Sequence, residues 1–143
     1  MKKNNKNLIK IQKKITIKSA KAWSYVLPSK KFEVEINGYA YASFFEGNAF
    51  LKMYFDEIFF YFDLKKILKK KIIVVLEGGG IFSRVVAGRI SVCRALCSLF
   101  PKLNLFEKIK KERRDFLIPD SRKKYMKLPL RKGARAKYQL SFR

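Results

Sequence analysis

The sequence predicts an α/β domain followed by an extended basic tail, and three observations lead to this fold class. A β-branched run at residues 72–76 is typical of a buried strand. Three glycines separate this run from a helical pattern that continues to Pro101. From residue 118 onward no hydrophobic period survives, so the last part of the chain has no core of its own.

The central helix is predicted to begin at Arg84, with Ser83 as its N-cap, and to end before Pro101. Its spacing predicts an apolar face and a second stripe of small side chains. The apolar face comprises Val86, Ile90, Cys93, Cys97 and Phe100, and the stripe comprises Gly88, Ser91, Ala95 and Ser98. The small residues predict that a neighbouring element approaches the helix closely.

The glycine triplet at residues 78–80 does not form a nucleotide-binding motif. A P-loop requires Gly-Lys-Ser/Thr at its end, whereas Gly80 is followed by Ile81 and Phe82. The dinucleotide pattern requires a third glycine at the position of Ser83. A tight connection between strand and helix is the better interpretation, because glycine permits backbone angles that a Cβ forbids.

Two further strands are predicted upstream. One covers residues 20–27 and ends at Pro28. In the other, Phe32, Val34 and Ile36 alternate with polar residues, as in a half-buried strand, and an Asn-Gly turn follows at residues 37–38.

Two shorter helices are predicted. The first covers residues 49–62, with Leu51, Tyr54, Phe55, Ile58, Phe59 and Phe62 on its apolar side. An interfacial membrane helix is the alternative, but three acids at 56, 57 and 63 stand where such helices carry lysine and arginine, so core packing is favoured. The second helix covers residues 105–114.

The net charge of +23 is concentrated at the two ends of the chain. Residues 1–31 carry ten lysines and no acid, and residues 108–143 carry fourteen basic and three acidic residues. Residues 32–107 are nearly neutral. Two cationic arms on one small domain predict a dense polyanion as partner. Nucleic acid fits this charge best, and an anionic membrane surface is the second choice.

The sequence offers no pattern for catalysis or metal binding. It contains no histidine and only Cys93 and Cys97, which lie one helical turn apart and are expected to be small buried residues in a reducing compartment. We therefore predict no enzyme, no metal and no cofactor. No apolar run is long enough to span a bilayer, and the N-terminus has no secretory signal, so we expect the protein to work where it is made.

Three segments of the sequence carry a specific set of motifs. The central segment contains Gly78-Gly79-Gly80, Ala87, Arg89 and Arg94-Ala95-Leu96. The second segment is Asp120-Ser121-Arg122. The end of the chain contributes Lys127, Pro129, Arg131, Lys132, Ala134, Arg135, Gln139, Ser141 and Arg143. In residue type and spacing these segments resemble the small-subunit ribosomal protein nine family, whose second motif reads Asp-Ala/Ser-Arg. The resemblance covers about residues 19–143.

The sequence departs from the family at several of its motif positions. Ser83-Arg84 replaces Gly-Gln after the triplet, and Gly88 replaces a typical isoleucine. Leu130 stands where the family has glycine after the tail proline, and Phe142 replaces the penultimate lysine. These changes indicate a diverged member with a reshaped helix entry.

The resemblance implies a two-layer sandwich, in which a four-stranded mixed sheet carries helices on one face and a long basic C-terminal tail follows. It implies a basic N-terminal arm at residues 1–18, a globular domain at 19–118 and an extended tail at 119–143. It also implies a structural constituent of the small ribosomal subunit, with rRNA in the subunit head, neighbouring head proteins and P-site tRNA as partners. A free-standing RNA-binding or anionic-membrane-binding module is the alternative.

The resemblance and the basic character together predict individual contacts. Those predicted to bind RNA are Arg84, Arg89, Arg94, Arg122, Lys127, Arg131, Lys132, Arg135, Lys137 and Tyr138. The two expected to contact tRNA are Phe142 and Arg143. Frequent Lys, Asn, Ile and Phe suggest an AT-rich coding sequence, so we expect a mitochondrial ribosome, with a plastid-type organelle or a bacterial cytoplasm as alternatives.

Overall fold

The computed structural model describes residues 11–62, 69–101, 104–137 and 140–141 of the chain. Five strands form one mixed sheet in the order β1-β2-β5-β3-β4. They are β1 (Ile11–Ile17), β2 (Ala20–Pro28), β3 (Glu33–Ile36), β4 (Tyr39–Ala40) and β5 (Lys70–Glu77). The pair β3 and β5 is parallel, and the other neighbours are antiparallel. The predicted α/β class and mixed sheet are confirmed.

The sheet has five strands where four were expected, and β1 lies inside the predicted N-terminal arm. Ile15 and Ile17 are buried and alternate with the exposed Lys14 and Thr16, which is the pattern of a half-buried strand. β1 pairs with β2 along its whole length, from Ile11↔Val26 to Ile17↔Ala20. Lysine at the outward positions conceals the alternation, since the charge dominates the local composition. Residues 1–10 of the predicted arm lie outside the described residues.

Within the described residues, four helices and two short 3₁₀ turns accompany the sheet. They are α1 (Tyr41–Phe44), α2 (Ala49–Asp56), α3 (Ile81–Leu99) and α4 (Leu105–Glu112). A 3₁₀ turn at Glu57–Tyr61 continues α2, and another at Arg114–Phe116 follows α4. The predicted helices at 49–62 and 105–114 are confirmed, each with a 3₁₀ turn at its end.

Helix α3 begins earlier than the sequence predicts. Its N-cap is Gly80, whose carbonyl accepts the first helical hydrogen bond from the Arg84 amide at 3.0 Å. The predicted cap, Ser83, therefore lies within the first turn, and no side chain caps the helix. The extended backbone of Gly80 begins the helix directly after the loop, so the loop is shorter than expected.

The core lies between α3 and one face of the sheet. Strands β1, β2 and β5 pack against α3, and the small residues of the helix permit the close contact that was predicted. A Cβ added at Gly88 would come within 3.0 Å of Leu76 Cδ2. The Ser24 hydroxyl donates to the Ser91 carbonyl at 2.8 Å, and the Ser91 hydroxyl donates to the Lys13 carbonyl at 2.6 Å. These bonds satisfy the buried hydroxyls and join α3 to β1 and β2.

The predicted Asn-Gly turn connects β3 to β4. Asn37 and Gly38 both have positive φ, at 51° and 82°, as the tight hairpin turn requires. The Asn37 side chain also pairs with the backbone of Leu76, donating to its carbonyl at 3.0 Å and accepting from its amide at 2.6 Å. This side chain therefore extends the pairing between β3 and β5 past the end of β3.

The aromatic segment packs into the core, as predicted. Phe55, Ile58 and Phe62 are buried, and Phe55 lies 5.8 Å from the ring of Phe45. Within the part of the chain that the structure describes, no helix is both long and apolar enough to cross a membrane.

Candidate nucleic-acid interface

The glycine triplet brings its loop against the turn that joins β1 and β2. Gly78 and Gly79 have positive φ, at 64° and 65°. A Cβ on Gly78 would lie 2.5 Å from the Ser19 carbonyl oxygen, and one on Gly79 would lie 3.0 Å from Ala20 Cβ. Both positions therefore require glycine, for its backbone angle and for its lack of a side chain. The interpretation of the triplet as a tight connection agrees with this geometry.

A concave basic surface forms beside this turn, where the tail leaves the domain. It is lined by Lys18, Ser19, Arg122, Lys123 and Lys124 and encloses about 460 Å³. We call this surface the turn–tail pocket. A smaller hollow of about 200 Å³ adjoins it and is lined by Thr16, Lys18, Pro119, Asp120, Ser121, Arg122 and Lys123. Four cationic side chains from two distant parts of the sequence thus surround one surface.

Asp120 holds one of these cations in place. Its carboxylate accepts hydrogen bonds from the Arg122 amide and from Arg122 Nε, each at 3.0 Å, and it forms an ion pair with Arg122 Nη2 at 2.8 Å. These bonds, with a smaller contribution from the charge of Lys18, lower the pKa of Asp120 to about 2. The Arg122 side chain remains 89% exposed, so its unused donors face solvent.

Arg89, in contrast, is buried in the protein interior. Its side chain is 1% exposed and contacts Glu57 and Asp115, each at 3.0 Å. Arg89 Nη2 also donates to the Tyr54 hydroxyl at 2.5 Å, and the guanidinium lies 3.6 Å from the centre of the Tyr54 ring. The ring centre of Phe116 is also near, 4.5 Å from the guanidinium. The prediction that Arg89 contacts RNA is wrong, because these partners occupy and bury its guanidinium.

Arg94 also serves the fold. Its Nε and Nη2 donate to the Leu117 carbonyl at 2.8 and 2.6 Å, which attaches the segment after α4 to α3. Arg84 is half-buried in the first turn of α3, and its Nε is enclosed without a hydrogen-bond partner among the described residues. All three arginines were predicted to bind RNA, whereas in the structure Arg89 and Arg94 form hydrogen bonds within the domain.

The tail is extended and exposes its cations. Residues 118–137 contain no helix or strand, and Lys127, Lys132, Arg135 and Lys137 are exposed there, while Arg131 is half-buried. Arg135 lies 5.9 Å from the ring centre of Tyr125. Three predicted contacts, Tyr138, Phe142 and Arg143, lie outside the described residues.

The departure from the family at residue 130 has a visible structural consequence. Leu130 has φ 61°, in the left-handed region that favours glycine, and follows Pro129 in a turn. The Arg131 amide closes this turn on the Leu128 carbonyl at 3.3 Å. Proline followed by a residue with positive φ is the arrangement of a type II turn, which normally has glycine second.

Sequence analysis did not predict that Lys18, Lys123 and Lys124 contact RNA. Lys123 and Lys124 could have been found from their position, because they directly follow the Asp-Ser-Arg motif. Lys18 was assigned to the N-terminal arm, and only the pairing of β1 with β2 brings it to the tail.

The described residues contain no group of His, Cys, Asp or Glu suited to a metal ion. Cys93 and Cys97 are both buried and unpaired, as expected. The Cys93 thiol donates to Cys97, and this hydrogen bond together with burial raises the pKa of Cys93.

Comparison with known proteins agrees with the resemblance in the motifs. The family model described as Ribosomal protein S9/S16 matches residues 16–143. The small ribosomal subunit protein uS9c of Chlorella vulgaris is 31% identical over 108 residues, which cover 74% of this chain and 77% of that protein. Members of this family are structural ribosomal proteins and not enzymes, as the sequence predicted. With a match that begins in β1 and runs to the end of the tail, this chain belongs to the ribosomal protein S9/S16 family.

Proposed function

We propose that this structural constituent of the small ribosomal subunit binds rRNA in the subunit head through the turn–tail pocket. The observation that carries this proposal is the convergence of Lys18, Arg122, Lys123 and Lys124 on one exposed concave surface. Only one carboxylate, Asp120, lies beside them among the residues that line the pocket and its adjoining hollow. The surface therefore keeps a positive charge and suits a phosphate backbone.

The two kinds of cation contribute differently to this binding. A guanidinium offers a rigid fork of donors to phosphate oxygens, whereas an ammonium group acts as a mobile point charge. Because Asp120 already orients Arg122, less conformational entropy is lost when Arg122 meets a phosphate. The three lysines then adapt to neighbouring phosphates.

The tail extends the same chemistry away from the domain. Its exposed Lys127, Lys132, Arg135 and Lys137 would neutralise phosphates along an rRNA path, with Arg131 at the turn. We assign the reach to P-site tRNA to Phe142 and Arg143, and base stacking to Tyr138, from the resemblance at the end of the chain.

Arg84 is kept as a secondary contact, because it is half-exposed beside the glycine loop. Arg89 and Arg94 are left out of the interface, since their guanidinium groups are engaged within the domain. For location we propose an organelle ribosome, and within that class a mitochondrial one, on the composition of the chain.

The rRNA contact can be tested with a charge-matched pair of variants. The pocket variant replaces Lys18, Lys123 and Lys124 with Gln, and the control replaces the exposed Lys108, Lys110 and Lys111 of α4 with Gln. Binding to an rRNA fragment of the subunit head is measured over a range of salt concentrations. Each lost phosphate contact should reduce the log–log salt slope by about 0.7 to 0.9, so the pocket variant, with three lysines replaced, should lose about two to three units and the control much less.

Equal losses in both variants would show that only total charge matters, and the pocket would no longer be the anchor.

The alternative of a free-standing module is tested by sedimentation of the native source in sucrose at moderate and high salt. The proposed constituent remains with small subunits, whereas a free-standing module separates from them.

The tRNA contact needs its own measurement. Small subunits that carry a chain lacking Arg143 should assemble normally and release P-site tRNA modestly faster, because one charge-assisted contact contributes at most about 1.5 to 3 kcal/mol. An unchanged release rate with impaired assembly would instead make Arg143 an rRNA anchor.

A further inference from the structure

The outer side of α2 and its 3₁₀ turn presents large apolar side chains to solvent. Phe50, Met53 and Phe60 are 70%, 73% and 86% exposed, although the opposite side of the same segment is buried in the core. Together with Tyr54, Asp56 and Glu57 they line a hollow of about 450 Å³. We call this surface the α2 patch. Single exposed apolar residues are ordinary, but several around one hollow mark a surface that a partner covers.

The charge of the α2 patch differs from that of the rest of the chain. Among the described residues, the side chains that line the hollow include two acids and no cation, in a protein with a net charge of +23. A phosphate backbone would meet carboxylates here and lose its hydration against phenylalanine. RNA is therefore a poor occupant of this surface, even though it is the proposed partner of the turn–tail pocket.

The two acids of the patch are not equivalent. Glu57 is engaged with Arg89 and Arg113 inside the domain. Asp56 accepts one hydrogen bond from the Tyr41 hydroxyl at 2.6 Å, and no lysine or arginine of the described chain pairs with it. Asp56 is half-exposed, so it offers its negative charge beside an apolar hollow.

We propose that the α2 patch is the docking site for a neighbouring basic protein of the small subunit. The partner segment would place an apolar side chain in the hollow and a lysine or arginine against Asp56. Proteins that lie among rRNA carry excess positive charge, as this chain itself does, so a cationic neighbour is the partner that both the charge and the apolar surface favour. This inference rests on the proposed function, because it places both proteins in one particle.

The test uses a photoreactive residue in assembled small subunits. Phe60→p-benzoylphenylalanine is introduced into the full chain, reconstituted into small subunits of the source and irradiated. The expected product is an adduct with another protein that survives ribonuclease and maps to a peptide with Lys or Arg close to the attachment point. An RNA adduct, an adduct within this chain, or no adduct would each overturn the proposal.

A charge-matched pair tests the role of Asp56. Asp56→Asn keeps the acceptor for Tyr41 but removes the charge, while Glu46→Gln makes the same charge change at an exposed residue outside the patch. Asp56→Asn should lower the Phe60 adduct yield about two- to fivefold, as expected for one ion pair, and Glu46→Gln should leave it unchanged. Equal yields in the two variants would overturn the ion pair with the partner.

A second photoreactive position separates this proposal from the proposed function. Lys124→p-benzoylphenylalanine, in the turn–tail pocket, should give an RNA adduct. Loss of that adduct with a protein adduct retained at residue 60 would count against the rRNA contact alone. An RNA adduct at residue 124 without a protein adduct at residue 60 would count against the docking site alone.

Discussion

The cluster around Arg89 and the turn–tail pocket are built from the same kinds of residue, but one buries its arginine and the other exposes it. Around Arg89, two arginines share the two carboxylates of Glu57 and Asp115, and the aromatic ring of Phe116 covers both guanidinium groups. The hydrogen bond to Glu57 raises the pKa of Arg113 further. In the pocket, four cations meet one carboxylate, and Arg122 remains exposed.

The difference shows that an arginine's role depends on the number of acids it meets. Where acids and arginines are balanced, the charges neutralise one another and the group can be covered by aromatic rings. Where cations outnumber acids, the surplus repels itself unless an outside polyanion joins it. Charge alone along the sequence does not separate the two cases, because Arg89 and Arg122 both stand in motifs shared with the family.

The largest effect should come from removing the buried cation. Arg89→Ala should lower the free energy of unfolding by about 3 kcal/mol, because Glu57 and Asp115 lose the buried one of their two arginine partners and a cavity remains beside the rings of Tyr54 and Phe116. Urea unfolding measures this loss. Arg122→Ala is the control, and loss of its solvent-exposed ion pair should hardly change the unfolding curve. If the Arg89→Ala protein were as stable as the original but bound RNA more weakly, Arg89 would be an RNA contact and not a structural residue.

The next effect concerns the loop that supports the pocket. Gly78→Ala would place a Cβ 2.5 Å from the Ser19 carbonyl oxygen at a φ of 64°, so it should destabilise the protein by about 1 to 3 kcal/mol. Gly80→Ala is the matched control, since no atom lies within 4 Å of its Cβ position and its φ is −77°. Thermal unfolding distinguishes the two variants. Equal losses of stability in both would show that the close approach of Gly78 to Ser19 does not require glycine.

The glycine loop and its surroundings also show which parts of the fold can be predicted from the sequence. The strand, glycine loop and helix were predictable from local signals, namely a β-branched apolar run, three consecutive glycines and a hydrophobic period of 3.6 residues. The close approach of Gly78 to Ser19 was not predictable, because the two residues are far apart in the chain and meet only through sheet pairing. The start of α3 was predicted at the wrong residue because its N-cap is Gly80, which has no polar side chain to mark the helix end in the sequence.

The candidate site divides in the same way. The basic tail and Arg122 were predictable from composition and motif. Lys18 was not, because its place in the pocket depends on β1, whose lysines conceal the strand. Burial of Arg89 required knowing that Glu57 and Asp115, on separate elements, converge on α3.

A smaller effect is expected in the tail turn. Leu130→Gly should stabilise this turn by about 1 kcal/mol, because glycine adopts positive φ without the Cβ conflict that Leu130 carries. Exchange of the Arg131 amide proton, which closes the turn on Leu128, should slow in this variant. Leu128→Gly should accelerate exchange, since residue 128 has no positive φ and gains only flexibility. Slower exchange in both variants would contradict the strained turn.

The smallest effect is the titration of Asp120. Its folded-state pKa of about 2 lies below the ordinary 3.8, so the Arg122 bonds favour the folded arrangement above about pH 4 and lose that contribution as the pH falls toward 2. Because the group is fully exposed, the global unfolding curve should hardly change over this interval. Carbon-13 NMR of the Asp120 carboxyl group measures the midpoint directly.

Arg122→Gln should return the midpoint toward 3.8, since the largest cause of the shift is the Arg122 side chain, whereas Lys18→Gln should move it much less. If both variants moved the midpoint equally, long-range charge would hold Asp120 ionised. Arg122 would then be one cation among several in the pocket, with no oriented guanidinium to present to a phosphate.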